Sequence, residues 1–145
     1  MEFWTEPQMA SIHKMLNPSS IAIVGATPRM QYGGRFLAAA LKAKARVRVY
    51  AVHPRYDEIM GVKSYPSVTN LPEAPDVAGI VMPFDQMLDV LQQSHRKGTG
   101  SAIALWRRHS GFRFERSARP FAVRSREIQM VLTGTRSVIV AHSSD

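Results

Sequence analysis

The chain has 145 residues, 45% of them apolar, which suits one ordinary domain with a real core. It contains no cysteine, so disulfides, thiolate metal sites and catalytic thiols are excluded. The net charge of +8 is uneven: residues 1–105 hold 11 Lys and Arg against 8 Asp and Glu, whereas residues 106–145 hold 8 against 3, with no lysine. The basic excess is concentrated in an arginine-bearing tail, which argues against a nucleic-acid-binding face on the body of the domain.

Residues 1–15 read as an amino-terminal extension. They have acids and a proline where a secretory signal needs a basic start, and nowhere does an apolar run approach membrane-spanning length, so a cytoplasmic protein with no membrane partner is expected. Ile21-Ala-Ile-Val-Gly-Ala26 is a first strand buried on both faces. From Gly34 the run Arg35-Phe-Leu-Ala-Ala-Ala-Leu-Lys-Ala-Lys44 predicts a helix with Phe36, Leu37, Ala40 and Leu41 on one face. A second strand, residues 46–52, stops at His53-Pro54 because proline cannot continue a central ladder.

Residues 56–75, broken by Gly61, Pro66, Pro72 and Pro75, read as a long connection with one helical turn. Val77-Ala-Gly-Ile-Val-Met82 is a third strand. Residues 85–97 form a helix with Met87, Val90 and Leu91 inward and Gly98 as its stop, and residues 101–105 form a fourth strand. Beyond Leu105 the pattern predicts a helix over 122–132 and a last strand over 138–141. Strands alternating with helices call for an α/β fold, a Rossmann-like doubly wound parallel sheet in a single domain.

Ligands of such sheets bind past the carboxyl ends of the strands. After the first strand, Gly25, Ala26 and Thr27, with Gly33 and Gly34 opening the helix, suit a pyrophosphate cradle at a helix N-terminus, although G-x-G-x-x-G is absent and packing glycines would look alike. After the second, His53, Pro54 and Arg55 place a basic group where a dinucleotide-binding domain puts an acid. That choice suits a phosphorylated ribose, which NADP and coenzyme A both carry. After the third, Met82 and Pro83 either border an adenine slot or simply end the strand. The five histidines lack metal-ligand spacing and no serine sits in G-x-S-x-G, so neither a metal nor a nucleophilic hydrolase is expected.

Leu16-Asn-Pro-Ser-Ser-Ile-Ala-Ile-Val-Gly-Ala-Thr27, Gly33-Gly34, Val49-Tyr-Ala-Val-His-Pro-Arg-Tyr-Asp-Glu-Ile-Met-Gly61 and Tyr65-Pro-Ser-Val-Thr-Asn-Leu-Pro-Glu-Ala-Pro-Asp-Val77 occur in this order within residues 16–105. Together they resemble the amino-terminal coenzyme A (CoA)-binding domain of ADP-forming acyl-CoA synthetases, relatives of the succinyl-CoA synthetase α subunit. The resemblance implies that Gly25, Ala26 and Thr27 meet the coenzyme's phosphates, with Gly33 and Gly34 opening the helix beside them. It puts His53, Pro54 and Arg55 at the family's Asn-Pro-basic position near the phosphoadenosine, with histidine in place of asparagine, and Met82 and Pro83 along the nucleotide. It also selects CoA over NADP.

The family's Ser-Gly-Phe-x-Glu loop has a counterpart in Ser110, Gly111, Phe112 and Glu115, displaced by Trp106-Arg-Arg-His109, and no Gly-Pro-Asn follows residue 141. Residues 106–145 are therefore either a divergent tail with a small insertion or the product of a slipped reading frame, in which case the sheet is incomplete at its carboxyl-terminal end. Family members make acyl-CoA through a phosphohistidine on a later domain and an ATP-grasp module. A chain of this length is expected to supply the CoA-binding part without ligase activity of its own, its partners being CoA and an ATP-grasp or ligase chain encoded nearby. A stand-alone sensor of CoA or a dinucleotide, and an NADP-binding oxidoreductase fragment, are the alternatives.

Overall fold

The computed structural model describes residues 6–105, 121–124, 129–132 and 137–141. Helix α1 (Glu6–Leu16) leads into β1 (Ser20–Val24), α2 (Tyr32–Leu41) and β2 (Arg48–Val52). A short hairpin, β3 (Glu58–Ile59) and β4 (Val62–Tyr65), and a 3-10 turn (Val68–Asn70) precede β5 (Val77–Val81), α3 (Phe84–Lys97) and β6 (Ser101–Leu105). Strands β7 (Phe121–Arg124), β8 (Gln129–Leu132) and β9 (Ser137–Ala141) complete the described residues.

The sheet order is β3-β4-β2-β1-β5-β6-β9-β8-β7. Its centre, β4-β2-β1-β5-β6, is parallel, with Ser20 opposite Arg48 and Ile21 opposite Val77. The chain runs outward from β1 through β2 to β4 and then returns to β5 on the other side of β1. This reversal makes the gap between β1 and β5 the topological switch point of the Rossmann-like fold, where a crevice opens at the carboxyl ends.

Alternation along the strands sorts the core into two layers. Ala22, Val24, Val52, Ala78 and Ile80 pack on one face with Met87 and Leu91 of α3 and with Val68 and Leu71 of the turn. Ile23 and Ala51 pack on the other with Leu37 and, part-buried, Phe36 of α2. A Cβ at Gly79 would strike the Phe36 ring, so this glycine sets how closely α2 approaches the sheet.

Polar groups stitch the amino edge. Asp76 Oδ2 accepts from Ser19 N–H at 2.8 Å, Asp76 N–H donates to Ser20 Oγ at 3.1 Å, and the Asp76 carbonyl accepts from Ser101 N–H at 3.0 Å. The far end of α3 is tied down by Lys97, whose Nζ donates to the carbonyls of Thr69 and Leu71 at 3.2 and 2.7 Å. Gly98 in the left-handed region (φ 93°) then ends the helix.

Several boundaries differ from the sequence reading. Helix α2 starts at Tyr32, ahead of the glycine pair, and part of the amino-terminal extension is helical, with Pro7 in its first turn, where a missing N–H costs nothing. The connection over 56–75 does contain a helical turn, but also the β3–β4 hairpin. The helix expected over 122–132 is not formed: the described parts are β7 and β8, paired antiparallel, in keeping with the strand preference of Phe121, Val123 and Val131. The expected last strand is β9, antiparallel to β6.

The hairpin turns at Met60 and Gly61, both at positive φ (53° and 77°), between the paired Ile59 and Val62. A two-residue loop of this kind favours Asn-Gly, and methionine at φ > 0 is strained. Met60→Asn is expected to stabilise the fold by about 0.5–1 kcal/mol, read from the midpoint of urea unfolding.

Candidate functional site

The loop after β1 is shaped by contacts that only glycine permits. Gly25 sits at φ 84° with its N–H on the Val52 carbonyl at 3.0 Å, and a Cβ there would strike the Val81 carbonyl oxygen. A Cβ on Gly33 would collide with the Gly25 carbonyl, and one on Gly34 with the carbonyls of Arg29 and Thr27. Residues 25–31 are thereby wrapped onto the first turn of α2. Gln31, the N-cap residue, gives no side-chain hydrogen bond. The first turn of α2 thus presents N–H groups and the positive end of the helix dipole without a side-chain cap.

Beside this loop a cleft of ≈ 560 Å³ opens over the carboxyl ends of β1, β2 and β5. Its volume falls within the roughly 300–1,000 Å³ of small-ligand sites. Of the residues singled out in the sequence, Gly25, Thr27, His53, Pro54, Arg55, Met82 and Pro83 line it. Ala26, Gly33 and Gly34 do not: Ala26 is fully buried among core residues beneath the loop, and the glycine pair is buried against the loop backbone. Their contribution is to the loop's shape. Ser110 and Gly111 lie outside the described residues.

The opposite wall was not foreseen. Pro66, Ser67 and Val68 come from the segment that leads from β4 into the 3-10 turn, and Gln86, Val90 and Gln93 from α3. The last three are spaced i, i+4, i+7, one helix face, a pattern visible in the sequence but without meaning until the turn is known to lie opposite.

His53 does locally what asparagine does in an Asx turn, using a ring nitrogen. Its Nδ1 accepts from the Arg55 backbone N–H at 3.1 Å, while the His53 backbone N–H donates to the Tyr65 carbonyl at 2.9 Å and the ring leans on Tyr56, with centroids 4.7 Å apart. An acceptor at Nδ1 leaves the ring proton on Nε2. Partial burial, followed by the neighbouring Arg55 charge, holds the imidazole below its usual 6.5, so it is neutral at pH 7. The Arg55 side chain is exposed and makes no ion pair among the described residues, leaving its guanidinium available to an anion at the cleft mouth.

Residues 19–143 match the family model of the CoA binding domain. The chain belongs to the CoA-binding domain family. Over 94 residues it is 32% identical to an ADP-forming acetate–CoA ligase of Archaeoglobus fulgidus, covering 65% of this chain and 14% of the ligase. Over 93 residues it is 31% identical to a trans-feruloyl-CoA synthase from an unknown prokaryotic organism, covering 63% and 13%. The chain thus corresponds to about one-seventh of the length of these curated relatives. Among solved structures, it resembles the dinucleotide forming acetyl-coenzyme A synthetase 1 of Ca. Korarchaeum cryptofilum in its apo form, with a TM-score of 0.60 and 36% identity over 63% of this chain and 20% of that one. A conserved hypothetical protein from Pyrococcus furiosus matches with a TM-score of 0.50 and 33% identity over 61% of this chain and 73% of that one. Both likenesses agree with the Rossmann-like fold read from the sequence.

Two outcomes follow for this CoA-binding domain. Gly34→Ala, which in an ordinary helix would be favourable, is expected to destabilise it by about 2 kcal/mol or more through collision with two carbonyls, measurable by chemical denaturation. The His53 ring should titrate below 6.5 by NMR. Because its folded value is depressed, its contribution to stability is complete above pH 6.5 and is lost as pH falls through the folded value. A midpoint at or above 6.5 would contradict the local geometry.

Proposed function

We propose that the chain binds coenzyme A through its phosphoadenosine and pyrophosphate parts, as the CoA-binding portion of an ADP-forming acyl-CoA synthetase system. The observation that carries this reading is the meeting in one cleft of the loop at Gly25 and Thr27, which is packed on the first turn of α2, with the exposed Arg55 guanidinium at the end of β2. The first suits the pyrophosphate and the second the 3′-phosphate of the ribose, since guanidinium pairs bidentately with phosphate. Met82, Pro83 and the strand-end valines Val24, Val52 and Val81 supply apolar surface for the base. In this reading the acyl-transfer chemistry belongs to phosphohistidine and ATP-grasp modules, and the chain contributes the coenzyme.

A second reading, a CoA-responsive module acting on a partner, draws support from the likeness to the Pyrococcus furiosus protein, most of whose chain is covered by the match. Both readings share the same ligand. Calorimetry with CoA, dephospho-CoA and NADP on the wild type and Arg55→Ala tests it. The substitution should weaken CoA binding by about 1.5–3 kcal/mol, the worth of a charge-assisted contact, and leave dephospho-CoA binding unchanged. Preference for NADP over CoA would overturn the assignment, and equal loss for both forms of the coenzyme would remove Arg55 from the 3′-phosphate.

A further inference from the structure

Between Glu6 and Asp57 the sequence carries eight Lys and Arg and no Asp or Glu. The acids of the described residues lie on α1, on and just before β3, at the amino edge and on α3, so the small net charge of residues 1–105 hides a segregation of sign. The segregation falls on α2. Leu37 is fully buried against the sheet, with Phe36, Ala40 and Leu41 part-buried beside it. Away from the sheet, Tyr32, Arg35, Ala39 and Lys42 are exposed at i, i+3, i+7 and i+10, one continuous helix face. Lys44 and Arg46 are exposed in the turns that follow. None of these bases makes an ion pair among the described residues.

Lys42 and Lys44 suit the negative end of the helix dipole, but Arg35 stands in the first turn, where a positive charge opposes it. Its Nε donates to the Met30 carbonyl at 3.1 Å, which steadies the side chain and leaves both Nη groups without an ion-pair partner among the described residues. Less rotamer freedom is then lost when an anion binds.

We propose that this face of α2 docks an acidic helix of a partner protein, lying along α2 across Ala39 with one carboxylate opposite Arg35 and another opposite Lys42. Arg35 and Lys42 are about 10 Å apart along the axis, the spacing of side chains two turns apart on a facing helix. Ala39 between them lets the two axes approach to the short end of the roughly 8–10 Å range of packed helices. Tyr32 and Met30, 62% and 59% exposed, add apolar contact of the residue types that enrich protein interfaces. A second copy would bring two basic faces together. Nucleic acid calls for on the order of six to ten phosphate contacts and gives the alanine no role. The proposal stands apart from the CoA reading, since none of these residues lines the cleft.

The probe is an alanine- and glutamine-based helical peptide of about twenty residues with two glutamates seven positions apart on one face; in its isomer the second glutamate is moved two positions, onto another face. Binding to the full chain is followed by backbone amide shifts for the wild type, Ala39→Gln and Lys42→Glu, each checked by circular dichroism for native helix content. The wild type should bind the first peptide about fivefold or more tightly than the isomer, with the shifts centred on α2. Ala39→Gln fills the contact while keeping the helix, and Lys42→Glu reverses one charge. Each should bring the ratio to within about twofold, a change that a purely structural role would not produce. Equal binding of the two peptides by the wild type, shifts centred elsewhere, or a ratio kept in either variant overturns the proposal. A short DNA duplex or a vesicle of anionic phospholipid bound more tightly than the first peptide overturns it in favour of a phosphate surface.

Discussion

Backbone meets backbone where β1 turns into α2, and the rest of the site depends on that contact. The Gly25 loop lies directly on the Val81 carbonyl, and the Gly33 and Gly34 turn lies directly on the loop, with no room for a methyl group at any of the three. Side-chain interfaces can adjust by changing rotamer, but carbonyl-on-Cα packing cannot. The N-terminus of α2 is therefore held at a fixed height over the end of β5, and the cleft between loop, β2 end and α3 inherits that geometry.

The two edges of the sheet divide the work. At the amino edge Asp76 gathers Ser19, Ser20 and Ser101, and the Arg48 guanidinium, 2.8 Å from Glu73, holds that carboxyl below its usual range. Arg48 and Glu73 are substantially exposed, so their pairing counts for little in water and serves chiefly to orient the start of β2 and Tyr50, whose hydroxyl also donates to Glu73 at 3.0 Å. At the carboxyl edge the groups are held without being neutralised. Arg55 is exposed, and the neutral His53 shapes the turn that presents it. The Asp76 hydrogen bonds anchor one end, and the exposed Arg55 guanidinium stands at the other.

The parallel centre of the sheet was legible because continuous apolar runs ending in glycine or proline have few other interpretations in an alternating chain. Ile21 to Val24 and Val77 to Val81 were read as strands on this ground, and most of the phosphate-loop side of the site followed from the rule that ligands sit past strand ends. The β3–β4 hairpin was not read, since its turn places a methionine where Asn or Gly is the usual signal and its first strand has two residues. Residues 122–132 lack the alternation that separates strand from helix, and the pairing partner that decides the matter is supplied by tertiary structure. At Gly33 and Gly34, sequence cannot separate a glycine that meets a ligand from one that meets a carbonyl. The Ser67, Gln86 and Gln93 wall depends on residues distant in sequence, on the segment before the 3-10 turn and on α3, meeting across the cleft, which no local pattern encodes.

Gly79 connects the interior to the site. The Phe36 ring rests where its side chain would be, and Phe36 belongs to the same helix whose first turn carries Gly33 and Gly34. A larger residue at position 79 would act as a wedge under one end of a lever, tilting α2 and lifting the loop that faces the cleft. A site far from any ligand atom can therefore govern affinity, and a screen for altered binding would recover core substitutions alongside those at the cleft itself.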